Sequence, residues 1–242
     1  MFAIDHAATA LLLKRRYPSV AIAPLLISVQ AMELAWVGLN YLGVERTSTD
    51  ATVDTVANIH LVYMPYSHSV LLPVMTAVAV WLVVEHGLRR PALGRGLGLG
   101  IVSHLILDLL THTHDIVLWP GSTSPALGLG LYESAPMIAF SVELLYGVVC
   151  WRIYRGSKGL LALIVGANLA NITLFSYAIP GPEQLLAGHP LAIVTFVLVQ
   201  IVATLMLVAR LSRRDARQVM AAPQLEPRPA ASSNDSGPAI WK

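Results

Sequence analysis

Apolar residues fall into six long windows, at about 20–43, 67–86, 96–112, 134–153, 159–178 and 190–210, separated by connections that carry the charge, Pro and Gly. Each window is near the ~20 residues that an α-helix needs to cross a hydrocarbon core. The pattern predicts an all-α, polytopic membrane helix bundle of about six spans. A further apolar run, Phe2 to Leu13, is about half a span long and precedes the basic cluster Lys14, Arg15, Arg16. A cleaved signal peptide has the opposite order, with its basic residues first. The run therefore lies flat on the cytoplasmic surface, or forms a half-helix that dips in from the basic boundary. In the second placement His6 sits roughly 12–15 Å from that boundary, at about 1.5 Å per residue. That depth is comparable to the depth of Glu33 on the first span.

The third window is interrupted by polar residues at helical spacing. His104, Asp108 and His112 stand at i, i+4 and i+8 in Ile101 to Asp115, within an arc of about 80° on one helix face. Asp115 returns to that face if the helix reaches it. Lipid does not tolerate such a stripe, so it faces protein, water or a metal.

Composition places the chain in a membrane independently of the windows. Apolar residues make up 55% and charged residues 12%, with a mean hydropathy of +0.64, which is the balance of an integral membrane protein. Basic residues cluster at Lys14–Arg16, at Arg89, Arg90 and Arg95, at Arg152, Arg155 and Lys158, and at Arg210, Arg213, Arg214 and Arg217. The intervening loops hold only Arg46. Retention of Lys and Arg on the inner side then puts both termini in the cytoplasm and the chain in the cell (inner) membrane as a multi-pass protein. The net charge of +2 is explained by this topology, and no aromatic–basic interleaving points to nucleic acid. Residues 1–212 form the bundle. Residues 213–242, with Pro223, Pro227, Pro229, Pro238 and a Ser/Asn/Asp run, read as a disordered cytoplasmic tail. The single cysteine, Cys150, excludes an internal disulfide and reads as a small buried hydrophobe.

Depth brings further polar residues toward the stripe. His68 opens the second span, Glu33 is alone among apolar neighbours on the first, and Glu143 is near the middle of the fourth. A cation or mutual pairing would offset the cost of burying them. A His and carboxylate set without thiolates suits a divalent ion, zinc first, with manganese or iron as alternatives. The bland readings are a hydrogen-bonded His104–Asp108 pair that fixes helix packing, a protonated Glu33, and an ordinary solvated His68. His60, His86 and His189 read as solvated, and Asn168 and Asn171 as glue between helices. Gly94, Gly96, Gly98 and Gly100 form two overlapping small-xxx-small pairs, a packing signal with no phosphate-cradling context.

Three segments, in this order, carry a family likeness: Asp5-His6-Ala-Ala-Thr-Ala-Leu-Leu-Leu13, Ser67-His68-Ser69, and Ser103-His-Leu-Ile-Leu-Asp-Leu-Leu-Thr111 followed by Leu118-Trp-Pro120. Over residues 1–120 the chain resembles the bacterial membrane-bound metal-dependent hydrolases, including the inner-membrane hydrolases linked to the SOS response. The resemblance implies metal-assisted hydrolysis of an ester or phosphoester of a small-molecule or lipid substrate in or near the bilayer. It matches His6, His68, His104 and Asp108 to the family's polar positions. The family's Pro-Asp-x-Asp segment has no counterpart near Val29 to Leu34, where Glu33 stands as a lone acid. The His-Arg-Gly lead into the Ser/Thr-His-Ser motif is replaced by Tyr63-Met-Pro-Tyr66.

On this reading His6, His68, His104 and Asp108 hold the metal, Glu33 is a further ligand or the general base, and His112 or Asp115 orients or protonates. Two other classes stay open: a carrier or channel in which Glu33, His104, Asp108 and Glu143 relay protons or coordinate a transported cation, and a scaffold whose cluster only fixes packing. The halves show no convincing internal repeat, which weighs against the carrier.

Overall fold

The computed structural model describes residues 1–122 and 126–221. Helix α1 (Ala3–Arg16) is followed by the pair α2 (Ile22–Val29) and α3 (Ala31–Tyr41), then by two strands, β1 (Arg46–Thr49) and β2 (Ile59–Tyr63). Next come α4 (Leu71–Leu82), prolonged by a π-type turn over Val83–Gly87, and α5 (Pro91–Thr111). The short α6 (Leu131–Ser134), α7 (Pro136–Tyr154), α8 (Lys158–Ala170) and α9 (Pro190–Ala221) complete it.

Each of the six apolar windows contains a helix, but their lengths differ. Among the described residues, three helices are long and apolar enough to cross a membrane, Pro91–Thr111, Pro136–Tyr154 and the stretch Pro190–Arg213 of α9. The pair α2 and α3 makes a fourth if its two halves, bent by 54°, count as one span. Leu71–Gly87 and Lys158–Ala170 are shorter. The all-α expectation needs a correction, because β1 and β2 form an antiparallel hairpin that pairs Ser48 with His60 and Thr49 with Ile59. Helix α9 continues through residue 213 to Ala221, and residues 222–242 of the expected tail lie outside the described residues.

Local chemistry explains the helix ends. Pro91 starts α5 and Pro136 starts α7, each at a first-turn position where the missing N–H costs nothing. Ser157 caps α8 by accepting from the Leu160 N–H. The α2–α3 break falls at Gln30, whose side chain donates to the Ala3 carbonyl at 2.7 Å.

Helix α1 does not lie on the surface. Ile4, Asp5, His6, Ala7, Ala8, Ala10 and Leu11 are all at most 2% exposed, and α1 packs against α2, α5, α7, α8 and α9. Such burial speaks against a helix lying flat at the surface. The glycines of α5 serve two neighbours. A Cβ at Gly94 would meet the Trp81 carbonyl at 2.9 Å and one at Gly98 the Ala77 carbonyl at 3.2 Å. At Gly96 and Gly100 it would meet Leu25 and Ser28 of α2. One pair thus admits α4 and the alternate pair admits α2, leaving α5 wedged between them. Cys150 is buried and free, in line with its reading as a small hydrophobe.

Candidate metal centre

Four side chains from three segments converge. Glu33 comes from the first turn of α3, His68 from the link between β2 and α4, and His104 and Asp108 from one face of α5. Each offers a ligand atom within 4.8 Å of the others. His104 Nε2 lies 3.0 Å from Asp108 Oδ2 and 3.5 Å from Glu33 Oε2. His68 Nε2 lies 3.4 Å from Glu33 Oε2 and 3.7 Å from Asp108 Oδ2. Ligand bonds of about 2.0–2.2 Å put tetrahedral zinc ligands roughly 3.3–3.6 Å apart; two of these separations fall in that window, and those of 3.0 and 3.7 Å fall just outside it. His68, His104 and Asp108 are at most 3% exposed, whereas the Glu33 side chain is 21% exposed.

Hydrogen bonds set the tautomer of both histidines. His104 Nδ1 is 2.9 Å from the carbonyl of Val29, the last residue of α2. A carbonyl only accepts, so Nδ1 carries the proton and Nε2 turns its lone pair to the cluster. The break after α2 makes this possible, since a terminal helix carbonyl lacks its partner in the next turn. His68 is set by a relay. Ser67 Oγ donates to Glu45 Oε2 at 2.6 Å, so its lone pair receives His68 Nδ1–H at 2.8 Å. Glu45 Oε1 in turn accepts the Tyr66 and Ser67 N–H groups, both at 2.9 Å. A metal-ligating histidine is characteristically held in this way through its other nitrogen.

The consequence is electrostatic. His104 Nε2 and Asp108 Oδ2 are buried acceptors with no hydrogen-bond partner, yet they face each other at 3.0 Å. Held that close in a dry interior, the two atoms need a positive charge between them, which a proton on His104 or a bound cation supplies. The residues present therefore fit a divalent ion.

The other expected residues arrange themselves around the four. His6 stacks on His104 with ring centroids 4.0 Å apart, and its Nε2 is 3.2 Å from Asp108 Oδ1, the oxygen turned away from the cluster. It therefore stands beside the four-atom set. The Met1 amine reaches the same oxygen at 2.8 Å and Thr111 Oγ1 at 3.0 Å. Because α5 ends at Thr111, with His112 already extended, Asp115 does not return to the helix face. A turn brings Asp115 Oδ1 to 3.4 Å from His112 Nδ1, while His112 Nε2 remains 4.0 Å from Asp108. Both line the mouth of the site.

Glu143 does not join the cluster. It accepts from the Phe2 N–H at 3.0 Å and the Tyr132 hydroxyl at 2.6 Å and faces the buried Asp5. Asn168 donates to Asp5 at 3.3 Å, which bears out its role between helices. His60, His86, His114 and His189 are exposed. Sequence reasoning missed Glu45 and the part played by Ser67. The adjacency of Ser67 to His68 was a usable signal, whereas nothing in the spacing marks Glu45.

A cavity of about 430 Å³ opens onto Glu33, His6, His68 and His112. Its outer wall is the hairpin and the segment Pro182–Leu186, tied together by Gln184 to Asp54 at 3.0 Å and Gly188 to Thr49 at 2.8 Å. No protein family, curated protein or solved structure matches this chain.

Proposed function

We propose that this chain is an integral membrane hydrolase that uses a divalent metal ion, zinc first and manganese or iron as alternatives, to cleave an ester or phosphoester at the membrane. The observation that carries the reading is the convergence of His68 Nε2, His104 Nε2, Asp108 Oδ2 and Glu33 Oε2 at metal-shell separations, beside a cavity sized for a small molecule. The alternation of basic clusters supports six spans, counting the bent pair and the two shorter helices, with both termini cytoplasmic in the cell (inner) membrane. The motif resemblance to metal-dependent membrane hydrolases points the same way.

A bound divalent ion supplies a Lewis acid that brings the pKa of water toward neutrality. His68, His104 and Asp108 hold it. Glu33, the most exposed of the four and a cavity-lining residue, accepts the proton of the attacking water. His112, steadied by Asp115, stands at the mouth to return a proton to the leaving oxygen. His6 braces the far oxygen of Asp108.

Elemental analysis of the detergent-purified protein tests this reading against a folded His104→Ala, Asp108→Ala double variant. Near-stoichiometric metal in the wild type, lost in the variant, is expected, followed by turnover in an ester and phosphoester screen. Wild-type protein without metal after reconstitution refutes the reading, and metal-free ion flux in liposomes would replace it with a carrier.

A further inference from the structure

The cavity beside Glu33, His68, His104 and Asp108 has a charge and polarity that select among esters. Its described lining includes four acids, Glu33, Asp115, Glu133 and Glu183, and no Lys or Arg. Thr113 donates to Glu133 at 2.8 Å and Thr173 to Glu183 at 3.0 Å, so the partner of each of these two acids is a neutral hydroxyl and not a cation. Glu33 and Asp108 already balance a divalent ion. The surplus on the wall is negative even when the Met1 amine, held by Asp108, is counted. A phosphate ester entering this space would meet like charge without a Lys or Arg to offset its desolvation, since the one ammonium group of the lining, at Met1, is already paired with Asp108.

The rest of the wall is neutral. Ile59, Leu61 and Val62 of β2 and Ile193, Phe196 and Val197 of α9 form its apolar faces. Two uncharged polar groups belong to lining residues nearest Glu33 in sequence. Trp36 Nε1 is a donor without an acceptor and Gln30 Oε1 an acceptor without a donor, on residues 3% and 0% exposed. Neither atom carries a formal charge, so both leave this part of the lining neutral. At the outer wall, Val62 and Leu185 turn 63% and 81% of their surface outward, an apolar rim suited to lipid contact.

We propose that the cavity takes an uncharged long-chain acyl ester, its alkyl chain along the β2–α9 wall and its carbonyl beside Glu33, and that phosphoesters are excluded. The inference rests on the hydrolase reading. In the step, the water oxygen bonds to the acyl carbon and passes one proton to Glu33. The acyl C–O bond to the alcohol breaks, and the departing alkoxide takes a proton through His112. The products are one carboxylic acid and one alcohol, with no redox change.

Two measurements on the full-length protein separate the failure of the inference from the failure of the hydrolase reading. The zinc-loaded protein is assayed with p-nitrophenyl decanoate, p-nitrophenyl acetate and bis-p-nitrophenyl phosphate. At least tenfold higher kcat/KM for decanoate than for either of the others is expected, with loss in Asp108→Asn. Faster phosphodiester cleavage, or acetate equal to decanoate, overturns the substrate class and leaves the hydrolase. No turnover of any ester overturns both.

Binding is read separately, without chemistry, from quenching of tryptophan fluorescence by a brominated decanoate ester. The expected component is absent in Trp36→Phe, competed by methyl decanoate and indifferent to dibutyl phosphate. Equal competition by the phosphodiester, or quenching unchanged in Trp36→Phe, overturns the inference.

Discussion

His104 gives its Nδ1 proton to the carbonyl of Val29, 2.9 Å away and 75 residues earlier in the chain. One bond thus joins the end of α2 to the middle of α5 and aims His104 Nε2 at the cluster. The bend after Val29 is part of the site, because it frees the carbonyl that orients a ligand and starts the helix that carries Glu33.

Metal should stabilise the folded protein. Binding to the native state alone contributes about 2.7 kcal/mol when the free ion is at 100 times Kd. Chelation is therefore expected to lower the thermal midpoint of the wild type and to leave a folded His104→Ala, Asp108→Ala variant unmoved, as read by scanning fluorimetry. An equal chelator effect in both would place the metal elsewhere.

The Glu45–Ser67–His68 relay should be visible in affinity. Losing a partner that orients a ligating histidine weakens metal binding by about 10–100-fold. Ser67→Ala is expected to fall in that range in a chelator-competition titration, with Ser67→Thr restoring most of the loss. Wild-type affinity in Ser67→Ala would show that His68 needs no such support.

Helix α5 should resist small additions on either face. Gly100→Ala sets its methyl against Ser28, whose Cβ is 2.9 Å from the position it would take. Overpacking of this kind costs about 1–3 kcal/mol. Ser28→Gly should recover much of the loss in the double variant, whereas Gly98→Ala, which meets α4, should gain nothing from it. A denaturation series on the four proteins checks the coupling.

The hairpin carries a pH-dependent contact outside the membrane segments. Hydrogen bonds from Asn58 and then His60 hold the Asp50 carboxyl below the usual carboxylate range. A depressed folded value means that the contact contributes fully above the ordinary Asp pKa and is lost as pH falls through the lowered one. The carboxyl resonance of Asp50 should titrate below that of a free aspartate, and Asn58→Ala should move its midpoint upward. An unmoved midpoint would remove Asn58 as the cause.

The legible parts of the molecule are those governed by a local period. Helical spacing alone put His104 and Asp108 on one face, because both sit inside an unbroken α5. The same rule failed at Asp115, since nothing near Thr111 signals that the helix stops there; no Gly or Pro marks the exit. The bend at Gln30 also lacks a breaker, so the hydropathy window runs straight through it. Glu143 shares the depth of the cluster but points to Phe2 and Tyr132, a matter of helix rotation that depth does not encode. Glu45 reaches Ser67 across 22 residues from a connecting loop, a contact with no periodic trace. The β1–β2 hairpin was passed over because its strands of four and five residues sit in a polar connection that reads as loop.

The burial of α1 sets an order of events during synthesis. This helix leaves the ribosome before any other element described here, yet two of the surfaces that enclose it belong to α8 and α9, which emerge last. His6 and the acids beside it are fully enclosed only after α8 and α9 have been made. The onset of any chemistry is thus tied to completion of the bundle as far as α9.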